Sequence, residues 1–66
     1  MKVFINGETR EIPDGFHLAQ LLTHFEMPTQ RIAVERNSEV VHRTAWTETL
    51  VADGDRIEVI QFVGGG

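Results

Sequence analysis

The sequence predicts an α+β fold in which one main helix covers a mixed sheet of four to five strands. Three observations lead there: apolar residues alternate with polar ones near both ends of the chain, one apolar stripe at helical spacing lies between them, and turn residues separate the segments. The length of 66 residues suits a single domain, residues 1–63, followed by a flexible C-terminal glycine tail, residues 64–66. A chain this short buries about 60% of the surface it exposes when unfolded, which leaves no room for a deep catalytic cleft.

Val3 and Ile5 alternate with Lys2 and Asn6 at the period of a strand. Asn6-Gly7 then supplies two residues that tolerate positive φ, a strong hairpin signal, and residues 8–12 form the returning strand. Pro13-Asp14-Gly15 is turn chemistry, with Asp14 expected as the N-cap of a segment beginning at Phe16. Leu18, Leu21, Leu22 and Phe25 fall at i, i+3, i+4 and i+7, the apolar stripe of a helix of about ten residues, which Pro28 stops. Ile32 and Val34 begin another strand; Arg36-Asn37-Ser38 is a polar turn, and Val40-Val41 a short apolar pair. Residues 42–50 show no clean period and read as irregular or as one helical turn, with Trp46 and Leu50 anchoring them to the core. After the turn Ala52-Asp53-Gly54-Asp55, residues 56–63 make a last strand with Ile57 and Val59 facing inward. The first and last strands are the most apolar, so they belong side by side in the centre, which makes them parallel. This is the β-grasp, or ubiquitin-like, arrangement.

With 41% hydrophobic and 24% charged residues, the composition is that of an ordinary globular protein. The chain has no cysteine, so neither a disulfide nor a thiolate metal site can supplement its core. Any sulfur it handles cannot ride on a side-chain thiol, which leaves the main-chain carboxyl terminus as the attachment point. Six Lys and Arg against ten Asp and Glu give a net charge of -4, the wrong sign for neutralising nucleic-acid phosphates. An acidic surface fits docking on basic partner surfaces, although solubility alone produces the same charge. The opening Met1-Lys2-Val3-Phe4-Ile5-Asn6 has three consecutive apolar residues, too few for a signal-peptide core or a membrane span, so a cytoplasmic location is expected.

Val63-Gly64-Gly65-Gly66 is the expected chemical end of the molecule. Glycines carry no side chain to collide with a narrow channel, so three in succession can thread into another protein's active site, reaching about 10 Å at full extension. A carboxyl terminus titrates at about 3.3 to 3.7 and is an ionised, poor electrophile at neutral pH. Transfer of AMP from ATP would give a mixed anhydride that a sulfur nucleophile displaces, leaving a glycyl thiocarboxylate. No P-loop or dinucleotide fingerprint is present in the sequence, so no cofactor is expected to bind the chain itself, and ATP and the sulfur donor are used by partner enzymes.

The sequence also resembles a known family. Arg31-Ile32-Ala33-Val34-Glu35-Arg36-Asn37, Val41-His42-Arg43 leading to Trp46, Asp53-Gly54-Asp55-Arg56-Ile57-Glu58 and the terminal Gly-Gly look like ThiS, the sulfur carriers of thiamin biosynthesis. The resemblance runs over essentially the whole chain. It implies that a ThiF-type adenylyltransferase activates Gly66, that a cysteine desulfurase relay thiolates it, and that a ThiG-type thiazole synthase takes the sulfur. The pattern requires two glycines, so the function carries over to Gly65 and Gly66, and Gly64 adds flexibility where the tail meets its partners.

With Ile57 and Val59 inward, alternation sends Ile60 and Phe62 outward, and Phe4 is the outward residue of the adjoining first strand. The three would form an apolar partner-binding patch leading to the tail. His17 and His24 stand seven residues apart, about 10.5 Å along a helix, too far for one zinc ion, so solvated histidines and no metal site are expected. Asp53-Gly54-Asp55 lacks the remaining ligands of a calcium loop and reads as a turn. Ser38, the only serine, has no evident base beside it. The chain is therefore expected to be a carrier, monomeric when free, and not an enzyme. Three alternatives share these features: the small subunit of molybdopterin synthase, a ubiquitin-like modifier, and an interaction module with an inert tail.

Overall fold

Two-residue turns with left-handed backbone shape both hairpins of the molecule. In the computed structural model, which describes residues 1–62, Asn6 (φ 50°) and Gly7 (φ 83°) join β1 (Lys2–Ile5) to β2 (Glu8–Glu11) in antiparallel register, Ile5 opposite Glu8. Asn37 (φ 51°) and Ser38 (φ 72°) likewise join β3 (Ile32–Arg36) to β4 (Glu39–Val41), with Arg36 opposite Glu39. Positive φ at both turn residues matches the twist of the flanking strands.

The fifth strand, β5 (Arg56–Gln61), pairs with both hairpins. It runs parallel to β1, with Ile57 beside Ile5, and antiparallel to β3 from Ile32–Gln61 to Arg36–Ile57. The sheet order is β2-β1-β5-β3-β4, which puts β5 in the centre and β1 next to it, the β-grasp order expected from the apolar ends of the chain.

The single helix, α1 (Leu18–His24), lays Leu18, Leu21 and Leu22 on one sheet face, where they are wholly buried with Val3, Ile57 and Val34. Its start differs from the expectation that Asp14 caps it. Phe16 and Leu18 are engaged by the segment ahead of β5: Val51 N–H donates to the Phe16 carbonyl at 2.9 Å and Leu18 N–H to the Thr49 carbonyl at 3.0 Å. Helical geometry therefore begins only at Leu18. His17 is the cap, its Nδ1 accepting from the Gln20 N–H at 3.2 Å while Gln20 Oε1 accepts the His17 N–H at 3.0 Å, a capping box built with histidine. Asp14 instead lies 3.4 Å from the Met1 ammonium.

The end of the helix also has its own cause. Glu26 is left-handed (φ 55°); its N–H donates to the Thr23 carbonyl at 3.0 Å and that of Met27 to Leu22 at 2.9 Å, the bond pair of a Schellman motif. The helix thus spans seven residues and closes ahead of Pro28.

Residues 42–50 contain one 3-10 turn, Arg43–Ala45, after which Trp46 is buried with its Nε1 donating to the Val41 carbonyl at 2.9 Å. Leu50 was expected as a second anchor, but it is 64% exposed. It forms a β-bridge with His17, and the alternation of that short extended stretch turns Val51 inward in its place.

Asp55 is the only buried charged side chain among the described residues. Its Oδ2 accepts from Arg36 Nε at 2.7 Å and from the Ala52 N–H at 2.8 Å, and its Oδ1 from Asn37 Nδ2 at 3.0 Å. Burial alone would raise this carboxyl, but the bonds from Arg36, Ala52 and Asn37 outweigh it and hold the pKa below the ordinary 3.8. The folded state thus binds that proton more weakly than the unfolded chain. The stabilisation is complete above the unfolded value and is lost as pH falls through the folded one. Removing one partner of a buried, hydrogen-bonded charge pair costs about 3 kcal/mol, so Asp55→Ala is expected to destabilise the fold by that order in denaturant titration. Asp55→Asn should also flatten the acid limb of thermal stability below about pH 4 relative to the parent chain.

Candidate functional site

β5 is paired with β1 at Arg56 and Ile57 and with β3 from Ile57 to Gln61, and it delivers the chain to Phe62, the last described residue. The Phe62 N–H donates to the Arg31 carbonyl at 3.0 Å, one step beyond the Ile32–Gln61 pair that ends the β3–β5 ladder. The residues expected to carry the chemistry, Gly65 and Gly66, lie outside the described residues, as do Gly64 and Val63. What can be placed is the surface that leads to them.

α1 occupies one face of the sheet, and the opposite face is open. On it the register forms rows: Phe4 beside Arg56, then Glu58 beside Glu35 with Val40 opposite Glu35, then Ile60 beside Ala33. Ile60 is 45% exposed, Phe62 52% and Val40 62%, whereas Phe4 is half-buried. Ile60 and Phe62 therefore stand together at the end of β5. Phe4 shares their face but sits level with Arg56, four residues and about 13 Å along the strand from Ile60. The Glu58–Glu35 row lies between them. The exposed apolar cluster near the chain end is thus Ile60, Ala33 and Phe62, with Val40 at its border. Val40 and Ala33 carry no individual sequence signal; only the β3–β4 and β3–β5 registers bring them here.

The other residue types singled out in the sequence have visible tasks. Asp53 Oδ1 accepts the Lys2 N–H at 2.8 Å and the Gly54 N–H donates to the Lys2 carbonyl at 2.7 Å, so the Asp-Gly-Asp turn clamps the start of β1. His17 caps α1, and the His24 ring meets the rings of Phe16 and Phe25 edge-on at 5.3 and 4.8 Å. Ser38 is a left-handed hairpin residue. Among the described residues no three His, Asp or Glu side chains converge as metal ligands. A groove of about 370 Å³ between β2 and the end of α1 is lined by Ile5, Asn6, Glu8, Arg10, Phe25 and Met27; its polar side chains are occupied by an exposed Arg10–Glu8 ion pair at 2.8 Å and by the hydrogen bond from Val59 N–H to Asn6 Oδ1 at 2.8 Å.

The two faces should respond oppositely to a charge. Phe62→Asp is a surface change worth less than about 0.5 kcal/mol, which shifts Tm by no more than about 4 °C. Ile57→Asp, in the centre of the core, should leave no cooperative thermal transition. A large loss of Tm in Phe62→Asp would show that the open face is structural.

Comparison with known proteins gives consistent likenesses. Residues 3–66 match the family model described as the ThiS family. The chain is 38% identical over 66 residues to a thiazole synthase of Paramagnetospirillum magneticum, covering 100% of this chain and 20% of that protein. It therefore spans about a fifth of the length of that relative. It is 35% identical over 49 residues to the sulfur carrier protein ThiS of Bacillus subtilis, covering 74% of each. The crystal structure of the thiamine biosynthesis protein ThiS from Geobacter metallireducens superimposes with a TM-score of 0.84 at 34% identity, covering 100% of both chains.

Proposed function

The chain belongs to the ThiS family, and we propose that it acts as a sulfur carrier in thiamin biosynthesis, with the carboxyl group of Gly66 as the site that takes and yields the sulfur. The observation that carries this reading is the placement of β5: the central strand of the sheet ends at Gln61 and brings the chain to Phe62, the residue that precedes Val63-Gly64-Gly65-Gly66 in the sequence. A chain with no cysteine offers no side-chain thiol as a competing site.

In this reading the carboxylate of Gly66 attacks the α-phosphorus of ATP in a ThiF-type adenylyltransferase, releasing pyrophosphate and forming an acyl adenylate. The outer sulfur of a persulfide from a cysteine desulfurase relay displaces AMP to give an acyl disulfide, and a thiol then cleaves its S–S bond, forming a disulfide with the relay sulfur and releasing the chain with one carboxyl oxygen replaced by sulfur. The glycyl thiocarboxylate then gives its sulfur to thiazole formation. The thiazole synthase of Paramagnetospirillum magneticum, a fifth of which matches this chain, supports thiazole synthase as the acceptor partner. The chain is a co-substrate here, and the catalysis is its partners'. The open sheet face around Ile60 and Phe62 is the docking surface.

Reconstitution tests this. Incubated with ATP, a ThiF-type adenylyltransferase, a sulfur-loaded desulfurase and a thiol reductant, the chain should gain the mass of one sulfur-for-oxygen exchange. Deletion of Gly66 should abolish the gain, and Phe62→Asp should slow it about tenfold or more through weaker docking. Equal modification of the Gly66-deleted chain would refute the assignment of the site.

A further inference from the structure

β5 is held at both ends by left-handed residues that flank β3, and the two ends are not alike. At its start, Asn37 (φ 51°) donates its N–H to the Arg56 carbonyl at 2.8 Å and accepts the Arg56 N–H on Oδ1 at 3.0 Å. Asparagine adopts that conformation readily. At its finish the same task falls to Arg31 (φ 59°), whose carbonyl accepts the Phe62 N–H at 3.0 Å. Arginine has no local side-chain preference for a left-handed backbone, and at this position the conformation serves to aim that carbonyl at β5.

We propose that Arg31 is a positioning residue for carrier chemistry: its left-handed backbone clamps Phe62, the last described residue, and so fixes the strand end that precedes the donor carboxyl in the sequence. The inference rests on the sulfur-carrier reading above. Four residues follow Phe62 in the sequence, and at full extension they span at most about 14 Å. With so short a reach, the direction and origin of the tail decide whether the Gly66 carboxyl meets a reacting phosphorus in the correct geometry. Misplacement by about 1 Å far from the chemistry is enough to lower a rate. Loss of the clamp leaves the fold intact, because the five β3–β5 pairs from Ile32–Gln61 to Arg36–Ile57 lie inside it.

Three variants test this. Arg31→Asn keeps a residue tolerant of positive φ and removes the charge; Arg31→Val disfavours positive φ; an ester in place of the Gln61–Phe62 amide removes the donor and leaves every side chain in place. Amide hydrogen exchange at Phe62 should be protected in the parent chain and in Arg31→Asn, and at least about tenfold faster in Arg31→Val. With the reconstituted adenylyltransferase, Arg31→Val and the ester should lose about fivefold in kcat for thiocarboxylate formation at nearly unchanged KM, and Arg31→Asn should match the parent. An unprotected Phe62 amide in the parent overturns the clamp even if the chain carries sulfur. Equal losses in Arg31→Asn and Arg31→Val overturn it too, by assigning the effect to the guanidinium. A protected amide in a parent chain that no adenylyltransferase modifies refutes the carrier reading and leaves the clamp standing as a structural feature.

Discussion

The carboxylate of Asp55 is the constraint on which the arrangement of this small domain depends. It sits where β5 begins and gathers three hydrogen bonds, from the Arg36 side chain at the end of β3, from Asn37 in the β3–β4 turn, and from the Ala52 backbone in the preceding loop. The Asp55 carbonyl also accepts the Phe4 N–H at 2.9 Å, which begins the parallel pairing of β1 with β5. One residue therefore fixes the start of the central strand against both hairpins. With no cysteine to form a disulfide, such a multiply satisfied charge confers specificity of register where a small apolar core gives mainly compactness.

The division of labour along β5 follows from that anchorage. Its first half is committed to structure: Asp55 and Ile57 are buried, and Asn37 brackets Arg56. Its second half turns progressively to solvent, from half-buried Val59 to exposed Ile60 and Phe62. Loops are the variable and least constrained parts of a fold, so side chains carried on a paired strand are better fixed than side chains on a loop. Ile60 and Phe62 accordingly stand on a surface whose backbone β3 holds in place.

Much of this was legible in the sequence because local chemistry and global pattern agree. Asn6-Gly7 identifies its hairpin and Arg36-Asn37-Ser38 a polar turn, the Leu18, Leu21, Leu22 and Phe25 stripe identifies the apolar helical face, of which the three leucines are wholly buried, and the apolar first and last strands identify the sheet centre. The departures come from long-range backbone pairing, which local signals do not report. The segment at 49–51 occupies Phe16 and Leu18, and so moves the cap from Asp14 to His17 and exchanges Leu50 for Val51 in the core. At the candidate site, alternation alone assigned Phe4, Ile60 and Phe62 to one face. The separation of Phe4 from the other two depends on the β1–β5 register, and the inclusion of Ala33 and Val40 on the strand order, both set by tertiary pairing. Asp55 read as a turn residue, since nothing local marks Arg36 and Asn37 as its partners.

The central claim is that the sulfur resides on the carboxyl of Gly66, and its most direct test is mass spectrometry of the chain recovered from cells making thiamin under thiamin limitation. Fragmentation of the intact chain should place one sulfur-for-oxygen exchange on the fragment containing Gly66, with fragments covering residues 1–62 unchanged. A chain recovered wholly as the free carboxylate while the cells make thiazole, or one bearing its sulfur elsewhere, would contradict the account.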